Sequence, residues 1–180
     1  VTEYQKRWLN RVIIAFVSLM RAIPFLILAY LLYYGLPEVG ISMDAWTAGL
    51  VALMIYHGAY FFEILRSQRR VFSAGYIEAA VAQGFSRYQI YRRIILPNIV
   101  SSSLPLFGNQ LIICLKDTAF LSIITVQEIT AAANSVQATW FIPFNAFIVA
   151  SALYWAISIL LELLIKRLSA HGARRGLSHV

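Results

Sequence analysis

Four continuous apolar runs, each close to the ~20 residues a helix needs to cross a hydrocarbon layer, decide what this chain can become. They extend over about Val12 to Gly35, Ala45 to Leu65, Pro97 to Ile124 and Pro143 to Ile165. None alternates every second residue, so the spans are predicted as helices and not as barrel strands. A water-soluble fold could not hide this much apolar surface. Of the 180 residues 60% are hydrophobic and 13% charged, against roughly 45–50% and 25% in soluble domains. The third run is the least clean, carrying Pro105, Gly108, Asn109, Lys116 and Asp117. Interruptions of that kind persist in membranes where protein neighbours or a cavity satisfy the freed backbone.

The cations report orientation. Lys6, Arg7 and Arg11 precede the first run; Arg66, Arg69, Arg70, Arg87, Arg92 and Arg93 separate the second from the third; Lys166, Arg167, Arg174 and Arg175 follow the fourth. Thirteen of the 15 Lys and Arg therefore fall on one side. The opposite connections, 36–44 and 118–142, hold Glu38, Asp44 and Glu128 but no base. Both ends and the long middle loop are expected in the cytoplasm. The net charge of +7 is then a mark of topology and not of nucleic-acid binding. Tyr30, Tyr33, Tyr34, Trp46 and Trp8 sit at span ends, where aromatic side chains favour the interface. The single cysteine, Cys114, can form no intrachain disulfide and reads as a small buried hydrophobe. No cleavable signal peptide is expected, since Val1 to Arg7 offers no small-residue cleavage site before the first apolar run.

The middle loop, 75–97, is the most informative segment. Ile77 to Gln83 is predicted as a short helix of good helix formers, with Ala79 and Ala80 small enough for close approach to a partner surface. Gly84 can end it at positive φ. Phe85 to Ile95 then forms a basic amphipathic segment, and Pro97 suits the first turn of the next span. Composition alone fits two readings of this loop: a docking element, or an amphipathic helix lying on the inner leaflet.

The spacing of the same residues resembles the EAA motif of ABC-importer permeases, E-A-A-x3-G-x9-I-x-L-P. Glu78, Ala79, Ala80, Gly84, Ile94, Leu96 and Pro97 all match it. The resemblance continues elsewhere. Arg21-Ala22-Ile23-Pro24 stands where the polar amino-acid branch usually has Arg-Gly-Thr-Pro, and Ala59-Tyr60 with Glu63 is similar to its A-Y-x-x-E. Gly108-Asn109 and Leu115-Lys116-Asp117-Thr118 match its G-N and L-K-D-T signatures. Ala22-Ile23 departs from Gly-Thr, and His57 stands where the family often has a smaller residue. The family usually has one more spanning helix ahead of the segment matching 1–11, so this chain is either a shortened form or lacks that helix.

The resemblance implies an all-α transmembrane fold, a type I ABC-importer permease-like helical bundle with a cytoplasmic coupling-helix loop. Residues 1–180 would form a single permease domain in a bacterial cytoplasmic membrane. It implies a subunit that carries a polar amino acid inward without being an enzyme. Its partners would be cytoplasmic ATP-binding subunits, a second permease subunit that is identical or homologous, and an extracytoplasmic solute-binding protein. Glu78, Ala79, Ala80, Gly84, Ile94, Leu96 and Pro97 would dock the ATPase. No cofactor is expected on this chain, ATP being bound by the partner; no G-x-x-x-x-G-K-[ST] loop is present. A passive channel or pore and a small intramembrane enzyme are the rival readings, although no catalytic or metal-binding constellation can be read.

Ionisable residues within spans are expensive and by default functional candidates. Asn109, Lys116, Asp117 and His57 are the candidates for the substrate path. Adjacent on one helix, Lys116 and Asp117 cannot face each other and are expected to pair elsewhere or bend the chain. Glu63 is expected to pair with Arg66 one turn on. Arg21 would snorkel inward or anchor another subunit. His171 and His179 belong to a polar tail.

Overall fold

The computed structural model of the chain describes residues 2–174, with side chains from 7 to 170. His179 and Arg175 lie outside the described residues, as do the side chains of Lys6, His171 and Arg174. Eight α-helices follow in order: α1 Thr2–Ala22, α2 Phe25–Tyr30, α3 Ala45–Val71, α4 Ala74–Ala82, α5 Arg87–Ile90, α6 Leu96–Asp117, α7 Ile129–Trp140 and α8 Pro143–Arg174. Tighter or wider helical turns extend α2 to Val39, join α5 to α6 and carry α6 on to Ile124. Among the described residues three helices are long and apolar enough to span a membrane: α3, the continuous 87–124 rod, and α8. α1 with the α2 segment would make a fourth if the bent pair is one span.

The first predicted span is bent. In place of one helix over 12–35, α1 and α2 meet at a bend of 104°. Pro24 explains it. A proline disfavours helical backbone at the residue before it and donates no N–H of its own. Pro24 adopts an extended conformation (φ −61°, ψ 137°), and its carbonyl accepts from the Ile27 and Leu28 amides to start α2 afresh.

The third span differs in the opposite sense. Pro105 lies inside α6 without ending it, and only after Asp117 does the helix tighten into the turns that continue to Ile124. Pro105 deprives the Ser101 carbonyl of its ladder donor, a modest loss with the rest of the ladder intact. The connection 118–142 also holds an unpredicted element, α7. At 12 residues it is too short to cross a bilayer. The second and fourth spans are longer than expected, reaching Val71 and Arg174.

The chain divides into two compact units, residues 1–60 with 112–158, and residues 61–111 with 159–180. In the first, Phe25, Ala29, Ala52, Leu121, Ile124 and Val126 form the core. A Cβ added at Gly49 would come within 3.1 Å of the Leu121 side chain, so glycine here permits a close helix approach. Asp44 starts α3 by accepting from the Thr47 hydroxyl and amide, and those bonds hold its carboxyl below the usual range.

In the second unit Phe72, Ala80, Ile90, Ile95 and Ile99 form a separate core. Phe61 and Phe107 pack edge to face at 5.2 Å between ring centres. The tightest approach is at Gly108, where a Cβ would fall 2.6 Å from Ile165 Cγ2. Gly108→Ala is therefore expected to destabilise the protein by about 1–3 kcal/mol through overpacking, lowering its unfolding temperature in detergent. Adding Ile165→Ala, which removes the obstructing branches, should restore much of the loss. Equal midpoints for wild type and Gly108→Ala would contradict this packing.

Candidate functional site

The middle loop is built as two short helices around a reversal. α4 ends at Gln83, and Gly84 takes φ +79°, the left-handed conformation a Cβ resists. The Gly84 amide donates to Val81 O and the Phe85 amide to Ala80 O, which closes the turn. Ser86 then caps α5. Its hydroxyl accepts from the Gln89 amide at 3.3 Å, while the Gln89 side chain accepts from the Ser86 amide at 2.8 Å, a reciprocal capping box.

This geometry sorts the motif residues by face. Ala80 is buried in the core with Ile90, Ile95 and Ile99, and Ile94 packs against it. Glu78, Ala79 and Gly84 are exposed, as are Val81 and Tyr76. Leu96 is exposed and Pro97 half-buried at the start of α6. The predicted helix is thus present, starting three residues earlier and ending one earlier than expected, at 74–82 instead of 77–83. One small residue seats it while its neighbours form an open surface.

Within the spans, the four candidate path residues separate. Asn109 and Lys116 are exposed on α6. His57 is buried (3%) and its Nε2 lies 3.4 Å from Asp117 Oδ2, itself 17% exposed. That is an ion-pair distance, although it lacks good hydrogen-bond geometry. Asp117 thus turns inward where Lys116 does not. Glu63 and Arg66 form the expected pair, with two contacts of 2.8 Å. Arg21 lies over the Tyr60 ring at 5.4 Å, a cation–π contact absent from either sequence expectation. Among the described residues no group of three His, Cys, Asp or Glu could hold a metal ion.

One polar cluster was not foreseen. Glu128 caps α7, accepting from the Thr130 amide at 2.7 Å and the Ala131 amide at 2.6 Å. The Tyr154 hydroxyl donates to the same carboxylate at 2.7 Å and lies 3.2 Å from the Thr130 hydroxyl. A carboxylate at a helix N-terminus also opposes the helix dipole favourably. Glu128-Ile129-Thr130 ahead of an alanine run was the available signal; the Tyr154 partner, 26 residues away, had none. Phe141, at φ 55°, ends α7 and leaves Trp140, Phe141 and Phe144 exposed at the turn into α8.

Comparison with known proteins decides the family. A family described as the inner membrane component of binding-protein-dependent transport systems matches residues 1–171. The chain belongs to this family. Among its relatives, the nopaline transport system permease protein NocM of Agrobacterium fabrum is 34% identical over 160 residues, covering 83% of this chain and 66% of that protein. The glutamine transport system permease protein GlnP of Escherichia coli K12 is 32% identical over 161 residues, covering 88% and 74%. The crystal structure of an amino acid ABC transporter with histidines superposes with a TM-score of 0.81 at 29% identity, covering 87% of this chain and 73% of the other. The chain thus spans about two thirds to three quarters of the length of these proteins.

This inner membrane component has the type I importer fold and is a transport subunit, not an enzyme. The Glu128 cluster gives it a test of the 118–142 connection. Tyr154→Phe removes a donor to a partly buried carboxylate and should cost about 1 kcal/mol, seen as a lower unfolding midpoint in detergent. An unchanged midpoint would show that the Tyr154 hydroxyl does not tie α8 to the α7 cap.

Proposed function

We propose that this permease component carries a polar amino acid into the cell, driven by ATP hydrolysed on separate cytoplasmic subunits. The observation that supports it most is the loop at 74–97. Its Glu78, Ala79 and Gly84 edge is open while Ala80 and Ile94 fix it to a core of its own. The edge offered to a partner presents a carboxylate, a methyl group and a bare backbone, beside the exposed Tyr76 and Val81. Glu78 can accept charge-assisted hydrogen bonds, and Gly84 lets a partner approach the main chain. Ile94, within the 87–124 rod, packs against the core that holds Ala80 of α4, so displacement of α4 passes into the rod, where Leu96 and Pro97 also lie.

Relatives named for glutamine transport and for histidine, lysine, arginine and ornithine transport support a polar amino acid as the cargo. In this reading 1–180 acts as one permease domain beside a second permease subunit, identical or homologous. An extracytoplasmic binding protein delivers the solute, and ATP binds only the partners. The excess of Lys and Arg on one side supports placing the loop in the cytoplasm. In this reading Asn109 and Lys116, exposed on α6, meet the solute, and His57 and Asp117 complete the candidates for the path.

Gly84→Asp separates docking from folding. A Cβ at Gly84 meets nothing within 4 Å, so only backbone strain opposes it, on the order of 1 kcal/mol. The variant should insert and stay folded. In proteoliposomes holding the permease, ATPase and binding protein, it should lose ATP-driven uptake of radiolabelled glutamine or arginine, and the ATPase should be uncoupled or released. Normal uptake with the ATPase still bound would remove the docking role and leave an amphipathic surface helix.

A further inference from the structure

The pairing of His57 with Asp117 goes beyond the proposed function while resting on its premise that this chain moves a solute. His57 lies in α3 and is almost fully buried, with its Nε2 3.4 Å from an oxygen of Asp117, the last residue of α6. The walls around the imidazole are aromatic. The Tyr56 ring stands edge-on at 5.3 Å and the Phe25 ring lies at 6.0 Å. Phe120 packs against Phe25 at 6.5 Å.

The other ionisable groups in this region can be named by element. α3 contributes Tyr56 and Tyr60, whose hydroxyls lie 3.5 Å apart. α1 contributes Arg21, held over the Tyr60 ring, and α6 contributes Cys114, three residues before Asp117. α2 and the turn after α6 present Phe25 and Phe120. Of these side chains, His57 and Asp117 are the ones whose ordinary titration lies below pH 8.

Two such groups side by side in an apolar setting behave as one titrating unit. With one proton between them the pair is neutral overall, as a charged pair or as two neutral groups. Removing that proton leaves a net negative charge in a span, an expensive state. We propose that His57 is a positioning residue for transport. By sharing a proton with Asp117, it holds the last turn of α6 in the arrangement that leaves the adjacent Lys116 exposed and uptake competent.

The test is the pH profile of uptake by the complete complex in proteoliposomes, from about pH 5.5 to about pH 8.5, across the imidazole range. ATP inside is held at constant pH, and each variant is compared with wild type in the same assay. Wild-type uptake should fall several-fold towards the alkaline end. His57→Gln keeps an amide donor that does not titrate, so uptake should persist with that decline flattened. His57→Leu keeps neither donor nor charge and should transport poorly at every pH. If His57→Leu fails to insert, the His57→Gln profile alone decides. A His57→Gln profile parallel to wild type, at equal or uniformly reduced rate, would overturn the proposal. Absence of uptake by the assembled wild-type complex would instead sink the transport reading, and the pairing with it.

Discussion

Lipid donates and accepts no hydrogen bonds, so a chain inside it must satisfy its own backbone. The rest of this structure depends on that constraint. Where helix continues, the ladder does the work, as in the 27 residues of α3 and the 32 of α8. Where helix stops, a specific group takes over. Pro24 O receives the first amides of α2. Gly40, at φ +83°, donates to Pro37 O, and the Ile41 amide donates to Leu36 O, closing the far end of that segment. Glu128 supplies a carboxylate to the bare amides of α7. The breaks are thus where the chain becomes chemically distinctive, and the candidate groups gather around them.

The middle loop follows different physics, being held by a small core and not by a long helix. Phe72, Ile90, Ile95 and Ile99 close over Ala80, and a larger residue at position 80 would have to displace them. Ala79, on the exposed side, meets no such limit. Two adjacent alanines therefore have separate reasons for being small, one internal and one facing outward. Gly84 is required by the turn and not by crowding, because its φ is left-handed while its surroundings are open. Such a loop can be rigid in itself and still present main chain to a partner.

Much of this was legible in the sequence, for identifiable reasons. The α3 and α8 spans announce themselves by hydropathy, and the Glu63–Arg66 pair by helical spacing. Gly84 was expected to be left-handed because a short helix ends there. The bend at Pro24 was missed because hydropathy is blind to direction: Val12 to Gly35 is apolar throughout, and Ile23-Pro24 changes the course of the chain without changing its polarity. α7 was missed because a helix of 12 residues, a third of them alanine and with five Thr, Asn, Ser and Gln among the rest, lacks the apolar density of a span. Proximity of His57 to Asp117 could not be read at all. The two lie 60 positions apart, and only the packing of α3 beside the end of α6 brings them together. On the candidate site, the motif gave the identity of the loop residues, while their division into buried and exposed faces required the fold.

The account stands or falls on whether the exposed edge of α4 touches the subunit that hydrolyses ATP. In a Cys114→Ala background, Ala79→Cys can be joined by a short bifunctional thiol reagent to single cysteines on the ATP-binding partner in the assembled complex. Trp140→Cys, 70% exposed at the end of α7 on the connection expected to face outward from its lack of bases, serves as the control. The account predicts a permease–ATPase adduct from position 79 and none from position 140. An intact complex that yields no adduct at 79, or yields it at 140 instead, would contradict it.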